Sequence, residues 1–165
     1  MSRQGLHIQV DLERQQLRLL SGSACVATYS VSTARNGPGE LQGSECTPRG
    51  LHRIRLKIGD GEPTNSVFIG RRPTGEIHTP ELAAANPDRD WILTRILWLT
   101  GLEPGRNRGG VVDSLRRFIY IHGTPDSEPM GRAASHGCIR MRNSELIQLY
   151  DQVSVGTIVD IREQF

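Results

Sequence analysis

A chain of 165 residues is long enough for one sizeable hydrophobic core and too short to make a second domain expected. With 36% apolar residues, 18 Gly and 9 Pro, it suits a turn-rich β protein better than a helical bundle. The net charge of +2 and the 5% aromatic content exclude a basic, aromatic-studded nucleic-acid surface: nineteen of the twenty basic residues are Arg, Lys57 being the exception, and they are scattered from Arg3 to Arg162.

In chain order, Leu6 to Leu12 and Gln15 to Leu20 alternate apolar and polar residues with period two and predict a hairpin, followed by a third strand from Cys25 to Thr33. Asn36-Gly37-Pro38-Gly39 marks a loop, and Thr47-Pro48-Arg49-Gly50 turns into an alternating strand from Leu51 to Ile58. Beyond it the pattern fades. Asp60-Gly61-Glu62-Pro63 reads as a turn, Val67-Phe68-Ile69 as a short strand, and Pro80 to Ala85 as one or two helical turns with Pro80 at the first position. Trp91 to Leu99 fits either a strand or a helix, and the strand is the expectation taken here. Arg117 to Ile121 predicts a strand from its aromatic and β-branched residues. Asn143 or Ser144 is expected to cap a helix with Leu146, Ile147, Leu149 and Tyr150 on its apolar side, ended by Gly156 and followed by a strand from Thr157 to Ile161.

No apolar run approaches membrane-spanning length, and Met1 to Val10 lacks the apolar core of a secretory signal. A cytoplasmic protein is the expectation, or a periplasmic one if a signal has been removed. Three cysteines cannot all pair within one chain and show no Cys-x-x-Cys spacing. Cys25, in Ala24-Cys25-Val26-Ala27, reads as a buried inert thiol, and Cys46 has no evident activating partner.

The chemistry concentrates in Ile121-His122-Gly123-Thr124 and Ser135-His136-Gly137-Cys138-Ile139-Arg140. A strand ending at His122 and a turn-rich loop returning to Cys138 bring the two to one end of a sheet. An imidazole beside a thiol can take its proton and lower its pKa, which turns the cysteine into a nucleophile. Gly137 lets the backbone approach a substrate closely, and the main-chain N–H groups of His136, Gly137 and Cys138 are candidate oxyanion donors.

These residues resemble the L,D-transpeptidase catalytic-domain family (the YkuD-type domain), with its His-Gly strand end followed by Ser/Thr-His-Gly-Cys. Val10-Asp11-Leu12, Gln15 to Leu19, Val31-Ser32-Thr33, Thr47-Pro48-Arg49-Gly50 and Gly105-Arg106-Asn107-Arg108-Gly109 are similar to the family's opening strands, its Thr-Pro-x-Gly turn and the region before the catalytic strand. Only residues 60–95 find no counterpart, and a flap is expected there. The resemblance implies a single mainly β, sandwich-like domain and a Cys/His catalytic pair that cleaves the diamino acid–D-Ala bond of peptidoglycan stem peptides. It makes Cys138 the thioester nucleophile, His122 the general base, the Gly123 carbonyl an orienter of its ring, and His136 a residue lining the site. Arg140, whose fork matches a carboxylate, Ser135 and Thr124 are candidate substrate-binding residues. No metal or organic cofactor is called for.

Without an export signal the accessible substrates are soluble muropeptides, so the expectation leans to an L,D-carboxypeptidase that trims tetrapeptide to tripeptide in recycling. Formation of 3→3 crosslinks is the alternative, and a covalent adduct with carbapenems is expected either way. Two readings of other classes stay open. A zinc site would use His122, His136 and Cys138 but would have to recruit His78 or His52 as the fourth ligand. A non-catalytic wall-peptide binding module would have no use for a nucleophile beside its base. His7, His52 and His78 are read as solvent or strand residues, Trp91 and Trp98 as core.

Overall fold

A computed structural model describes residues 5–165; the start of the segment read above for a signal lies outside them. Ten strands and the isolated bridges account for 42% of the described residues and helices for 12%, which makes the chain mainly β, as expected. Strands β1 (Leu6–Asp11), β2 (Gln16–Ser21) and β3 (Ala24–Ser32) form an antiparallel meander. β4 (Gly50–Ile58) follows, then the hairpin β5 (Ser66–Ile69) and β6 (Arg72–Ile77), helix α1 (Pro80–Ala85) and β7 (Ile92–Gly101). β8 (Tyr120–Gly123), β9 (Ile139–Met141), helix α2 (Asn143–Gln152) and β10 (Ile158–Arg162) complete the chain. The sheet runs β4-β10-β1-β2-β3-β9-β8-β7 and closes through a β4–β7 pairing, with β5 and β6 branching from β7. Closure leaves the inward faces to form one apolar cluster, among them Ile8, Val10, Leu17, Leu19, Ile54, Leu97, Ile121 and Ile139, with Leu146, Leu149 and Tyr150 of α2 packed against it.

Several local expectations are corrected. The strand placed at Arg117–Ile121 begins only at Tyr120, because Phe118 takes φ +57° and residues 114–118 form turns. Neither Asn143 nor Ser144 caps α2: Arg142 occupies the cap position without a side-chain bond, and Asn143 turns its buried amide inward. Cys25 is exposed, since β9 pairs β3 only at Val31 and Ser32 and leaves the first half of β3 uncovered. Pro80 does open α1, with Thr79 as its cap. No helix among the described residues is long and apolar enough to cross a membrane.

The lone lysine has a defined position. Lys57 Nζ donates to the carbonyls of Tyr150 (2.7 Å) and Val153 (2.8 Å) at the C-terminus of α2, where the helix dipole favours a cation, and lies 4.1 Å from the Tyr150 ring. Charged hydrogen bonds of this kind contribute about 1.5–3 kcal/mol. Lys57→Met is therefore expected to lower unfolding free energy by about 2 kcal/mol in a urea titration, with the fold intact.

Candidate active site

Register decides which side chains face the site. β8 and β9 pair in parallel, Ile121 beside Ile139, His122 beside Arg140 and Gly123 beside Met141. Because side chains alternate along a strand, Ile121, Ile139 and Met141 point into the core while Tyr120, His122, Cys138 and Arg140 share the opposite face. That face lines a cavity of about 290 Å³. Pairing through a strand ladder thus brings together two residues that the chain separates by a long loop.

His122 is buried, and its Nδ1 lies 2.6 Å from the Gly123 carbonyl oxygen. A carbonyl only accepts, so Nδ1 carries the proton and the neutral ring keeps its lone pair on Nε2. Burial lowers the His122 pKa to about 4, against a smaller upward pull from the Gly123 bond and Asp90. Gly123 has no choice of side chain. An added Cβ would stand 2.5 Å from the carbonyl oxygen of Leu93 and would strike Asn143 Oδ1.

Cys138 is half-buried; its Sγ accepts from the Tyr120 N–H (3.3 Å) and donates to the Phe118 carbonyl (3.3 Å). Burial pushes its pKa up to about 12, and the Tyr120 bond, Arg140 and Arg117 only partly offset this. Burial thus opposes the lowering of the thiol pKa that a neighbouring imidazole brings. A carbonyl facing the sulfur and the loss of solvent favour the thiol, so the resting pair is neutral thiol and neutral imidazole.

The remaining expected residues occupy defined places. Ser135 is buried and shapes the turn: its Oγ donates to the Cys138 carbonyl (2.6 Å) and accepts from the Gly137 N–H (3.2 Å). Of the three main-chain donors expected there, that of Gly137 is committed to Ser135. Gly137 itself has φ +133°, a conformation that excludes most side chains. His136 is exposed, with Nδ1 3.9 Å from Asp90 Oδ2. Arg140 is 8% exposed and reaches Asp90 Oδ1 (3.3 Å), Glu128 Oε2 (3.8 Å) and the Ala134 carbonyl (3.4 Å). Thr124 is buried, and its carbonyl accepts from Asn143 Nδ2 (2.9 Å). His52 lies in β4, as a strand residue, but fully buried between the Gly50 carbonyl and Ser114 Oγ, and His78 packs edge-on to Trp91. Among the described residues no group of three or more His, Cys, Asp and Glu is arranged to hold a metal ion.

Four contributors escaped the sequence. Thr47 of the Thr-Pro-x-Gly turn donates from Oγ1 to the Gly137 carbonyl (2.9 Å), buttressing the nucleophile loop. Arg117 spans the loop before it, with bonds to the carbonyls of Glu40 (3.1 Å) and Cys46 (2.7 Å). Arg71, at the tip of the β5–β6 hairpin, donates to Tyr120 Oη (3.1 Å) and stacks 4.8 Å from the Phe118 ring. Asp90 stands between His136 and Arg140. Within residues 60–95, where a flap is expected, the β5–β6 hairpin and the segment carrying Asp90 both line the cavity. No local motif marks Arg117, Arg71 or Asp90; of the four, only Thr47, in the Thr-Pro-x-Gly turn, carries a usable signal.

The model of the L,D-transpeptidase catalytic domain (YkuD) matches residues 5–161. The chain belongs to this family. It is 47% identical over 123 residues to the probable L,D-transpeptidase ErfK/SrfK of Salmonella typhimurium, a match covering 69% of this chain and 39% of that protein. A shorter match, 44% over 59 residues, links it to the putative L,D-transpeptidase YkuD of Bacillus subtilis, with 35% of this chain and 36% of that protein covered. The family domain is thus shared with relatives of which the chain spans well under half the length. Among solved structures, an L,D-transpeptidase from Mycobacterium smegmatis shares the fold at a TM-score of 0.60 and 20% identity, covering 96% of this chain and 58% of that one. The L,D-transpeptidase LdtMt1, solved in complex with imipenem, is similar at 0.57 and 18%, covering 96% and 59%.

Proposed function

We propose that this family domain cleaves the bond between the diamino acid and the terminal D-Ala of a peptidoglycan tetrapeptide through a thioester on Cys138. The observation that carries the reading is the shared face of β8 and β9, on which His122, with its Nδ1 proton fixed on Gly123, and Cys138 line one cavity. As Sγ attacks the carbonyl carbon, His122 Nε2 takes the thiol proton. The developing oxyanion is met by main-chain N–H groups at Cys138 and His136. Collapse breaks the C–N bond, and His122 returns the proton to the departing D-Ala amine. A neutral resting pair suits this sequence, because the thiol proton passes to His122 Nε2 only as the bond from Sγ to the carbonyl carbon forms.

Water then attacks the thioester, His122 accepts its proton, and the C–S bond breaks to release tripeptide and restore the thiol. With water as acceptor, the reaction needs no site for a second stem beside this cavity of about 290 Å³. The second reading, transfer to the amine of another stem, is favoured by the transpeptidase names of the relatives.

Intact-mass spectrometry with imipenem, followed by incubation with disaccharide-tetrapeptide with and without an acceptor stem, tests both steps. One covalent imipenem adduct is expected on the wild type and none on Cys138→Ala; an adduct that survives on the variant removes Cys138 from the mechanism. Abundant crosslinked dimer in place of tripeptide selects the second reading.

A further inference from the structure

Thr94 of β7 and Asn143 at the start of α2 form a buried polar pair against the end of β8, outside the lining of the reaction cavity. Asn143 Nδ2 donates to the Thr124 carbonyl (2.9 Å), and its second hydrogen is shared by Asn65 Oδ1 (3.0 Å) and Asp126 Oδ1 (3.3 Å). Its Oδ1 accepts from the Thr94 hydroxyl (2.6 Å) and stands against the Gly123 α-carbon, where an added Cβ would strike it. The amide thus grips the chain on both sides of the Gly123 carbonyl, the oxygen that fixes the His122 Nδ1 proton.

That carbonyl needs a clamp. It belongs to a glycine, the residue with the freest backbone, at the last position of β8, and Pro125 two residues on offers no N–H. The amide has one possible orientation. Thr94 Oγ1 accepts from the Asn65 N–H (3.0 Å), which leaves its own hydrogen for Asn143 Oδ1, so the nitrogen end of the amide faces Thr124. Thr94 holds its place under strain, at φ +75° in the β7 bulge, a region that β-branched residues rarely enter. Such strain persists where surrounding contacts over-determine it, and what it delivers here is a hydroxyl aimed at Asn143.

We propose that Asn143 is a positioning residue for the reaction and that the strained Thr94 locks its amide, so that together they hold the Gly123 carbonyl and aim the His122 ring. The inference rests on the reaction proposed above and assigns to it two residues outside the reaction cavity. Without the amide, the Gly123–Thr124 peptide is free to rotate. His122 Nδ1 then loses its fixed acceptor, and Nε2 no longer presents a lone pair at a constant place.

Nitrogen NMR of the His122 ring and the kinetics of imipenem acylation test this on the full chain with Asn143→Leu, Thr94→Val and Thr94→Ser. Near neutral pH the wild-type ring is expected to show one protonated and one unprotonated nitrogen. In Asn143→Leu and Thr94→Val the two signals should move toward each other as tautomers exchange. The first-order acylation constant should fall by about 10²-fold, as for an ångström-scale misplacement, at an unchanged half-saturating imipenem concentration. Thr94→Ser keeps the hydroxyl and should restore both readouts. Val matches Thr in shape and lacks the hydroxyl, so the Thr94 variants decide the matter if Asn143→Leu fails to fold. A lowered melting temperature with wild-type ring signals and wild-type acylation would overturn the inference, as would a Thr94→Ser protein as slow as Thr94→Val. Altered ring signals in the variants, with no imipenem adduct on wild-type Cys138, refute the proposed reaction alone. A wild-type adduct with unaltered ring signals in the variants refutes the clamp alone.

Discussion

Gly123→Ala is expected to slow acylation of Cys138 by about 10²–10⁴-fold, nearly as much as His122→Ala, the range spanned by general-base contributions. Backbone freedom is not the reason, because Gly123 lies in β8 with an ordinary extended conformation. Space is. The added methyl would sit 2.5 Å from the Leu93 carbonyl oxygen, and that oxygen belongs to β7, which pairs Leu93 with Gly123. Neither strand can yield locally, so β8 must shift away and carry the Gly123 carbonyl with it. Loss of that acceptor at 2.6 Å frees the His122 ring to rotate and to exchange tautomers, and Nε2 no longer presents a lone pair at a fixed place. The rate of imipenem adduct formation on wild type, Gly123→Ala and His122→Ala reads the effect directly. Alkylation by iodoacetamide in urea should remain equal, showing that the thiol itself is intact. Wild-type acylation in Gly123→Ala would show that the carbonyl anchor is unnecessary.

Stability is expected to fall as pH drops from about 6.5 to about 4. Burial lowers the His52 pKa from 6.5 to about 4, with the Gly50 bond and Glu103 opposing it more weakly. The unfolded chain therefore takes up a proton on His52 at a pH where the folded chain does not. The stability tied to this group is complete above 6.5 and is lost as pH falls through 4. At 1.36 kcal/mol per unit the loss amounts to roughly 3 kcal/mol, and His122, whose pKa burial lowers in the same direction, adds to it. Against a total of about 5–15 kcal/mol for a domain, this places acid unfolding within the window. Urea midpoints measured from pH 7.5 to 4 check the slope. His52→Gln should start less stable at pH 7.5 and show a visibly flatter profile; an unchanged slope would mean that His52 is not the group responsible.

The opening strands were legible in the sequence because each has one wet face and one dry face, so apolar residues recur with period two. β7 was ambiguous for a physical reason. Thr94 takes φ +75° and a bulge shifts the register between Leu93 and Ile96, so five consecutive residues from Leu93 to Leu97 are buried and the alternation breaks. β6 left no trace, since Arg72 to Gly75 are all exposed on an edge strand and carry no apolar pattern. In the site, Cys138, His122 and Gly123 were legible from their motif. The protonation of the pair was not, because it depends on burial and on the Phe118 carbonyl, which a turn 20 residues earlier directs at the sulfur. Asp90 and Arg71 were invisible for a similar reason: their roles come from where connecting segments pass, and no short motif encodes that.

The parallel ladder between β8 and β9 divides this domain into parts with different tolerance for redesign. Reactivity is wired into backbone pairing at the centre of the sheet, where a change of one residue in register would turn His122 or Cys138 toward the core. The β5–β6 hairpin and the Asp90 segment hang from the edge and meet the reaction centre only through side chains. Segments 62–90 could therefore be exchanged between homologous scaffolds as a cassette, giving enzymes that keep one reaction rate constant for a small acylating agent while differing in the peptides they accept.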